Sequence, residues 1–238
     1  MGNVRFGPPT DLIRALATRF SIHNFIETGT YLGGTSAWAA TEFKDVWTSE
    51  LHPDSFHRAK LNLEKFRNVR IYNEASPSFL DTILTDVKGR AFFWLDAHMM
   101  PGSVTAGLDH ECPVLDEIRS IIRWSKLDSY IFVDDARLFL APAALPHKAE
   151  QWPSVREILD AFEPLKSTHH IIVNEDILMV VPLEAKGFLV DYCQQRAKQE
   201  RDAERKGSRM MASGARQIAK GVVRTAKDVL RWISSRSH

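Results

Sequence analysis

Phe92-Phe93-Trp94-Leu95-Asp96-Ala97-His98 is the stretch on which the reading of this chain turns: a continuous apolar run that stops at an acid and, two residues later, an imidazole. An apolar run without alternation fits a strand buried on both faces, as in the middle of a parallel sheet. Open α/β sheets bind their ligands beyond the carboxyl ends of such strands, so Asp96 and His98 stand where chemistry is expected. Asp96 is the candidate metal ligand and His98 the candidate general base.

Upstream, residues 22–27 read as a short strand that runs into Glu27-Thr28-Gly29-Thr30-Tyr31-Leu32-Gly33-Gly34-Thr35-Ser36, followed by a helical run over 37–43. A strand, a glycine turn and a helix N-terminus present backbone N–H groups to a ligand, and glycines let it come close. The spacing is Glu-x-Gly-x-x-x-Gly, which is neither the dinucleotide fingerprint nor the P-loop. It resembles the first motif of class I S-adenosylmethionine-dependent methyltransferases. That resemblance implies a methyl donor cradled by Glu27, Gly29, Thr30, Tyr31, Gly33, Thr35 and Ser36, with Tyr31 either touching the donor's methionine part or simply packing. A second strand, Val46-Trp47-Thr48-Ser49-Glu50, ends in an acid about 20 residues after the glycines, where a ribose-binding carboxylate belongs. Glu50 is the candidate. A third strand over 69–72 follows, and in the resembled fold the loop after it flanks the adenine, which puts Ala75 and Ser76 at the donor. Ser76-Pro77 equally suits the cap and first turn of a helix over 78–84.

Downstream of His98, residues 99–110 are long enough for a functional lid. Glu111-Cys112-Pro113 opens a helix to 125 with apolar Val114, Leu115, Ile118, Ile121, Ile122 and Trp124. The fifth strand, 130–133, ends in Asp134-Asp135-Ala136-Arg137. Adjacent carboxylates repel unless something positive sits between them. Residues 169–173 and 176–181 form a terminal pair around Asn174-Glu175, read as a two-residue hairpin turn. Alternating strands and helices closed by a hairpin give a Rossmann-like class I methyltransferase fold: seven strands, mostly parallel, the last antiparallel. A plain doubly wound nucleotide-binding fold is the alternative, and it needs no hairpin.

In that fold the ends of strands four and five converge over the donor, so Asp96 meets both the donor and Asp134 and Asp135. Three hard oxygen ligands without sulfur favour Mg²⁺. Asp96-x-His98 with Asp134-Asp135 resembles the metal-dependent sugar O-methyltransferases of the macrocin type, over roughly residues 22–181. Bacterial polysaccharide O-methyltransferases share the Leu-Asp-Ala-His and Glu-Cys-Pro elements. The resemblance implies Asp96, Asp134 and Asp135 as magnesium ligands, His98 as the base, and a saccharide hydroxyl as acceptor. His110 and Glu111 are placed to meet the saccharide, although Glu111 also suits a helix N-terminus. Arg137 either grips an acidic substrate or neutralises Asp135. Trp94 and Trp124 read as core, and His169-His170 as structural. A metal enzyme like the cephalosporin hydroxylases, or a non-catalytic donor-binding module, are the competing readings.

A chain of 238 residues suits one catalytic domain with appendages. Cys112 and Cys193 are far apart and outside zinc-site spacing, so reduced thiols are expected. No apolar run approaches the roughly 18 residues of a membrane span, and Met1-Gly2-Asn3-Val4-Arg5 lacks a signal-peptide core, which predicts a cytoplasmic protein. The net charge of +1 hides an asymmetry: residues 194–238 hold 12 Lys/Arg against 4 Asp/Glu, so the body is acidic. The expected organisation is a methyltransferase domain over 1–186, a charged helical linker over 187–207 and a basic amphipathic helix over 208–238. In that helix Met211, Ala215, Ile218, Val222, Ala226, Val229 and Ile233 form one apolar stripe opposite Arg209, Arg216, Lys220, Arg224, Lys227 and Arg231. A basic amphipathic helix of this kind suits the face of an anionic membrane, and docking on its own domain or on a second subunit in a homo-oligomer is the alternative. Nucleic acid is not expected, since the body is acidic and no reading motif occurs.

Overall fold

The computed structural model describes residues 7–99, 110–124, 129–203 and 205–206. Most of the expected lid and the whole of the 208–238 helix lie outside the described residues. The chain divides into two compact units, Met1–Gly187 and Phe188–His238, and the described part of the second is helical through 203. No described helix is long and apolar enough to cross a membrane.

In the first unit, α1 (Thr10–Phe20) leads into β1 (Asn24–Thr28), α2 (Gly34–Glu42), β2 (Asp45–Ser49), α3 (Pro53–Leu63), β3 (Val69–Tyr72), α4 (Ser76–Ile83) and β4 (Ala91–Leu95). Then come α5 (Val114–Trp124), β5 (Ser129–Val133), the single turn α6 (Arg137–Leu140), α7 (Val155–Ala161), β6 (His169–Asn174) and β7 (Ile177–Pro182). The seven strands lie in the order β3-β2-β1-β4-β5-β7-β6, with β7 antiparallel to both neighbours and the remaining pairs parallel. This is the expected architecture.

Burial follows strand position. β1, β4, β5 and β7 are buried at every residue, while β3 and β6 at the edges are only partly covered. That gradient is why Ala91–Leu95 reads as unbroken apolar sequence and Val69–Tyr72 does not. Phe93, Ile131 and Val133 pack with Phe79 and Leu80 from α4 and Ile118 and Ile121 from α5 in one cluster. Emptying a site such as Phe93 would cost about 3–5 kcal/mol.

The hairpin turn differs by one residue from the sequence expectation. Asn174 pairs with Ile177, so Glu175-Asp176 are the turn residues, with φ of 48° and 71°. Two positive φ values make the mirror-image turn whose twist matches the flanking strands. Asp176 tolerates the conformation because its carboxylate is anchored, accepting from the Arg137 backbone N–H at 2.7 Å and pairing with the Arg137 guanidinium.

The strand order reverses between β1 and β4, so the chain leaves these adjacent parallel strands toward opposite edges. A crevice opens there at the carboxyl ends. Thr28 is level with Leu95, and Leu95 with Val133. The ladder continues one step further: Asp96 N donates to Thr28 O and Asp134 N to Leu95 O, both at 3.1 Å. Register alone therefore sets Gly29, Asp96 and Asp134 side by side.

Candidate active site

A cavity of about 600 Å³ occupies the crevice. Of the residues expected at the donor, Glu27, Gly29, Thr30, Tyr31, Thr35, Glu50, Ala75, Ser76 and Asp96 line it, together with His98 and His110. Gly33 and Ser36 stand behind the wall instead. Gly33 caps α2 with φ of 83°, and a Cβ there would press on Leu63 at 3.0 Å. Ser36 is fully buried and donates to Glu27 Oε2 at 2.5 Å.

Glu27 sits at the bottom. Its Oε2 also accepts from Thr48 Oγ1 at 2.8 Å, and Thr48 in turn meets Thr30 Oγ1 at 2.5 Å. Burial pushes this carboxyl up to about 7, against the pull of these hydroxyls. Glu50 is held by both oxygens: Oε2 accepts from Tyr31 N at 2.7 Å and Oε1 from His52 N at 2.9 Å. Burial raises it as well. The carboxylate keeps acceptor capacity for a hydroxyl donor, which is what a ribose diol offers. Tyr31 itself is 48% exposed with φ of 49°, so its backbone serves Glu50 while its ring edges the opening.

Gly29 has no room for a side chain. With φ of 83°, a Cβ on it would lie 2.3 Å from the Asp96 carbonyl oxygen. Ser49, also in the lining, has a buried hydroxyl without a partner among the described residues. An orphaned hydroxyl, an anchored carboxylate and a turn stripped of side chain together fit a polar ligand of nucleoside size, the kind of methyl donor expected from the sequence.

His98 is the centre of the acidic side. Its ring is 7% exposed; Nε2 lies 2.8 Å from Asp135 Oδ2 and Nδ1 3.7 Å from Asp96 Oδ1. The first is a hydrogen bond and the second is too long to be one. Asp135 takes the left-handed conformation, φ of 57°, directly after β5, which turns its carboxylate back toward β4. Burial works against the imidazolium, but the bond to Asp135 and the charges of Asp96, Asp135 and Asp134 outweigh it and raise His98. Burial likewise disfavours the Asp135 carboxylate, yet His98 and Arg137 hold it below the usual range. Asp96 and Asp134 are both raised, chiefly by burial, with further contributions from neighbouring carboxylates.

The three carboxylates expected to share a magnesium ion gather around the imidazole instead. Asp135 is engaged on both oxygens, Oδ2 by His98 and Oδ1 by the Arg137 guanidinium. Asp134 Oδ1 accepts the Asp135 backbone N–H at 2.8 Å. Among the described residues no group of three or more His, Cys, Asp or Glu side chains is arranged to hold a metal. The residues as they stand do not fit a three-carboxylate ion site.

Two substrate assignments change. Glu111 is buried away from the cavity, its Oε2 accepting from Trp152 Nε1 at 2.8 Å and Lys148 N at 3.0 Å. Burial would raise this carboxyl, but those donors, with His147, hold it below its usual value. Arg137 is paired with Asp135 and Asp176, so it neutralises the carboxylate rather than gripping substrate. His110 is exposed and lines the cavity. Sequence reasoning missed Trp152, whose ring meets His98, and Glu117, fully buried on α5 and pushed up to about 7 by burial. Glu117 had a signal: it falls on the apolar stripe of Val114, Ile118 and Ile121. Cys112 lines the cavity, but burial pushes its thiol up to about 12, so it is no nucleophile.

No protein-family model matches the chain, and no curated protein matches it either. Solved structures do. An O-methyltransferase from Bacillus cereus in complex with S-adenosylhomocysteine aligns over 74% of this chain and 82% of its own, with 17% identity and a TM-score of 0.51. TomG from Streptomyces achromogenes, an O-methyltransferase of tomaymycin synthesis in complex with S-adenosylmethionine, aligns over 75% and 82% at 17% identity and 0.52. A Podospora anserina methyltransferase bound to S-adenosylhomocysteine gives 74%, 80%, 14% and 0.51. The fold is that of the class I methyltransferases. In this chain the crevice of that fold lies at the β1–β4 reversal, beyond the carboxyl ends of the central strands.

Proposed function

We propose that this chain is an S-adenosylmethionine-dependent O-methyltransferase whose acceptor is a saccharide hydroxyl, in a bacterial polysaccharide that is either free or lipid-linked. The observation that carries the reading is His98, on the wall of the cavity lined by the glycine turn and Glu50, with Asp135 bound to its Nε2. When bound, the donor supplies an electrophilic methyl group on a sulfonium. The chain's residues do the rest. Glu50 and Glu27 orient the donor from below and fix the direction of attack. Asp135 accepts the Nε2–H, which leaves Nδ1, on the Asp96 side of the ring, to take the proton of an incoming hydroxyl. A sugar hydroxyl is a poor nucleophile until that proton begins to leave.

A saccharide acceptor is supported by the Leu95-Asp96-Ala97-His98 and Glu111-Cys112-Pro113 elements shared with sugar O-methyltransferases. The described cavity lining also contains no Lys or Arg, which suits a neutral hydroxyl compound better than an anionic one. A magnesium-assisted version, which the sequence resemblance implies, would need Asp135 to give up His98 and Arg137 so that it could share an ion with Asp96 and Asp134. Peripheral membrane binding through 208–238 and homo-oligomer formation complete the proposal.

The test is transfer of labelled methyl from S-adenosylmethionine to a panel of neutral glycans, with and without Mg²⁺ and EDTA. Transfer to a glycan that His98→Ala abolishes, with S-adenosylhomocysteine binding intact, supports the reading; unimpaired transfer by His98→Ala refutes it. Full activity in EDTA removes the magnesium version. Flotation of the full chain and of residues 1–207 with anionic vesicles tests the membrane role, and equal binding by both would exclude it. Sedimentation of the full chain tests oligomer formation.

A further inference from the structure

We propose that Glu111 and Trp152 are positioning residues that lock the His98 imidazole into its dyad, a role that rests on the reading of His98 as the base. The Trp152 ring meets the imidazole edge-on, with centroids 5.6 Å and planes 61° apart. Trp152 is buried and His98 lines the cavity, while neither Trp152 nor Glu111 is among the described lining residues. The indole therefore acts on the imidazole from behind. Asp135 fixes the ring at Nε2, and the indole fills the space into which the ring would otherwise swing.

The indole needs an anchor of its own, because Trp152 ends a proline-interrupted connection rather than a strand or a long helix. Glu111 provides it. Its Oε2 accepts the indole Nε1–H at 2.8 Å and the Lys148 N–H at 3.0 Å, and faces His147 Nδ1 at 3.3 Å. The Glu111 carbonyl oxygen also accepts the N–H of Met99, the residue after His98, at 2.8 Å. Glu111 thus grips the base along two routes, through the indole and through the backbone next to it. A carboxylate buried beside His147 carries a desolvation cost that an apolar side chain of similar size would avoid. Orientation of a reacting group is the return, since displacement by about 1 Å can lower a rate about 100-fold.

The experiment compares Glu111→Gln, Trp152→Phe, Trp152→Ala and the Glu111→Gln/Trp152→Phe double variant in the full chain. It uses labelled methyl transfer to the glycan acceptor, with S-adenosylhomocysteine calorimetry counting folded sites. Trp152→Ala is expected to lower kcat about 100-fold with the donor KM unchanged. Trp152→Phe, which keeps a ring against the imidazole, should recover much of that loss. Glu111→Gln and Trp152→Phe each weaken or remove the same Nε1–H···Oε2 bond, so the double variant should be no slower than the slower single. Wild-type kcat per folded site in both single variants, or losses that multiply in the double, overturns the proposal. Should Trp152→Ala fail to fold, the two milder variants still decide it. His98→Ala run in parallel separates the failures: lost transfer there beside unimpaired Glu111→Gln and Trp152→Phe refutes the positioning role alone, and unimpaired transfer there refutes the base itself.

Discussion

Replacing Gly29 by alanine tests the geometry on which the donor cradle depends. The residue has φ of 83°, and its new Cβ would stand 2.3 Å from the Asp96 carbonyl oxygen, where ordinary contact begins at 3.4 Å. The left-handed conformation costs an L-residue roughly 1–2 kcal/mol, and forcing a packed neighbour aside costs about 1–3 kcal/mol more. The neighbour is backbone at the end of β4, with no rotamer to yield, so β1 and β4 must part by about 1 Å. A total of about 2–5 kcal/mol in a protein of this size corresponds to a melting point lower by roughly 4–20 °C. Binding should suffer beyond stability, because the displaced carbonyl belongs to Asp96 and His98 lies two residues on. Gly34→Ala is the control for melting: Gly34 opens α2 and lines the cavity, and a Cβ there meets nothing within 4 Å. Calorimetric melting and titration with S-adenosylhomocysteine are the assays. If Gly29→Ala melts within 2 °C of wild type and binds within about threefold, the close approach of turn and strand is not what shapes the site.

Three further outcomes follow from the same geometry. Glu50→Ala should weaken S-adenosylhomocysteine binding about 10- to 100-fold, the worth of one or two charge-assisted hydrogen bonds; calorimetry within twofold of wild type would exclude a ribose role. The rate of methyl transfer should rise with pH through a His98 pKa above its ordinary value, since the base must be neutral to accept a proton. Asp135→Asn removes the charge that favours the imidazolium, so that acidic limb should move to lower pH while the maximal rate falls. An unmoved limb in the pH–rate profile would argue that Asp135 does not govern His98. Finally, Glu27 and Glu117 are pushed up to about 7 by burial, so between pH 4.5 and 7 the folded state holds protons that the unfolded chain has released. The stability they contribute is complete below that window and is lost as pH rises through it, by about 1.4 kcal/mol per pH unit for each fully linked group. Urea unfolding at pH 5 and 7.5 should show this loss, reduced in Glu117→Gln; an equal loss in that variant would refute the assignment.

The sheet was legible because its strands carry the pattern that burial demands. Ala91–Leu95 and Tyr130-Ile131-Phe132-Val133 are apolar without alternation, as central parallel strands must be, and each is followed by an acid at the end of the sheet where the crevice opens. Much of the cavity wall was legible for a related reason: turn glycines and a strand-end carboxylate at fixed spacing put Gly29 and Glu50 at the ends of adjacent strands. Roles decided by long-range partners were not legible. Glu111 looked available for substrate because sequence shows neither Trp152 nor the Lys148 amide that claims it. Arg137 was open between two readings until Asp176, 39 residues on, arrived through the hairpin.

That hairpin explains why adjacent carboxylates are tolerated at the end of β5. Asp176 O accepts the Ala136 N–H at 2.8 Å, and the Asp176 carboxylate holds both the backbone and the guanidinium of Arg137. The turn from Asp134 to Arg137 is therefore clamped from the β6–β7 turn, and the clamp stabilises Asp135 in a conformation that non-glycine residues rarely adopt. So placed, Asp135 faces His98 from β5 while His98 arrives from β4, and Arg137 balances the charge that the imidazole alone would leave when neutral. The antiparallel seventh strand thus does more than complete the sheet. Through Asp176, in the turn that leads into it, it holds Arg137, the counter-ion that lets Asp135 stay ionised beside two carboxyls whose burial raises them, with His98 Nε2 bound to Asp135 and Nδ1 beyond hydrogen-bond reach of Asp96.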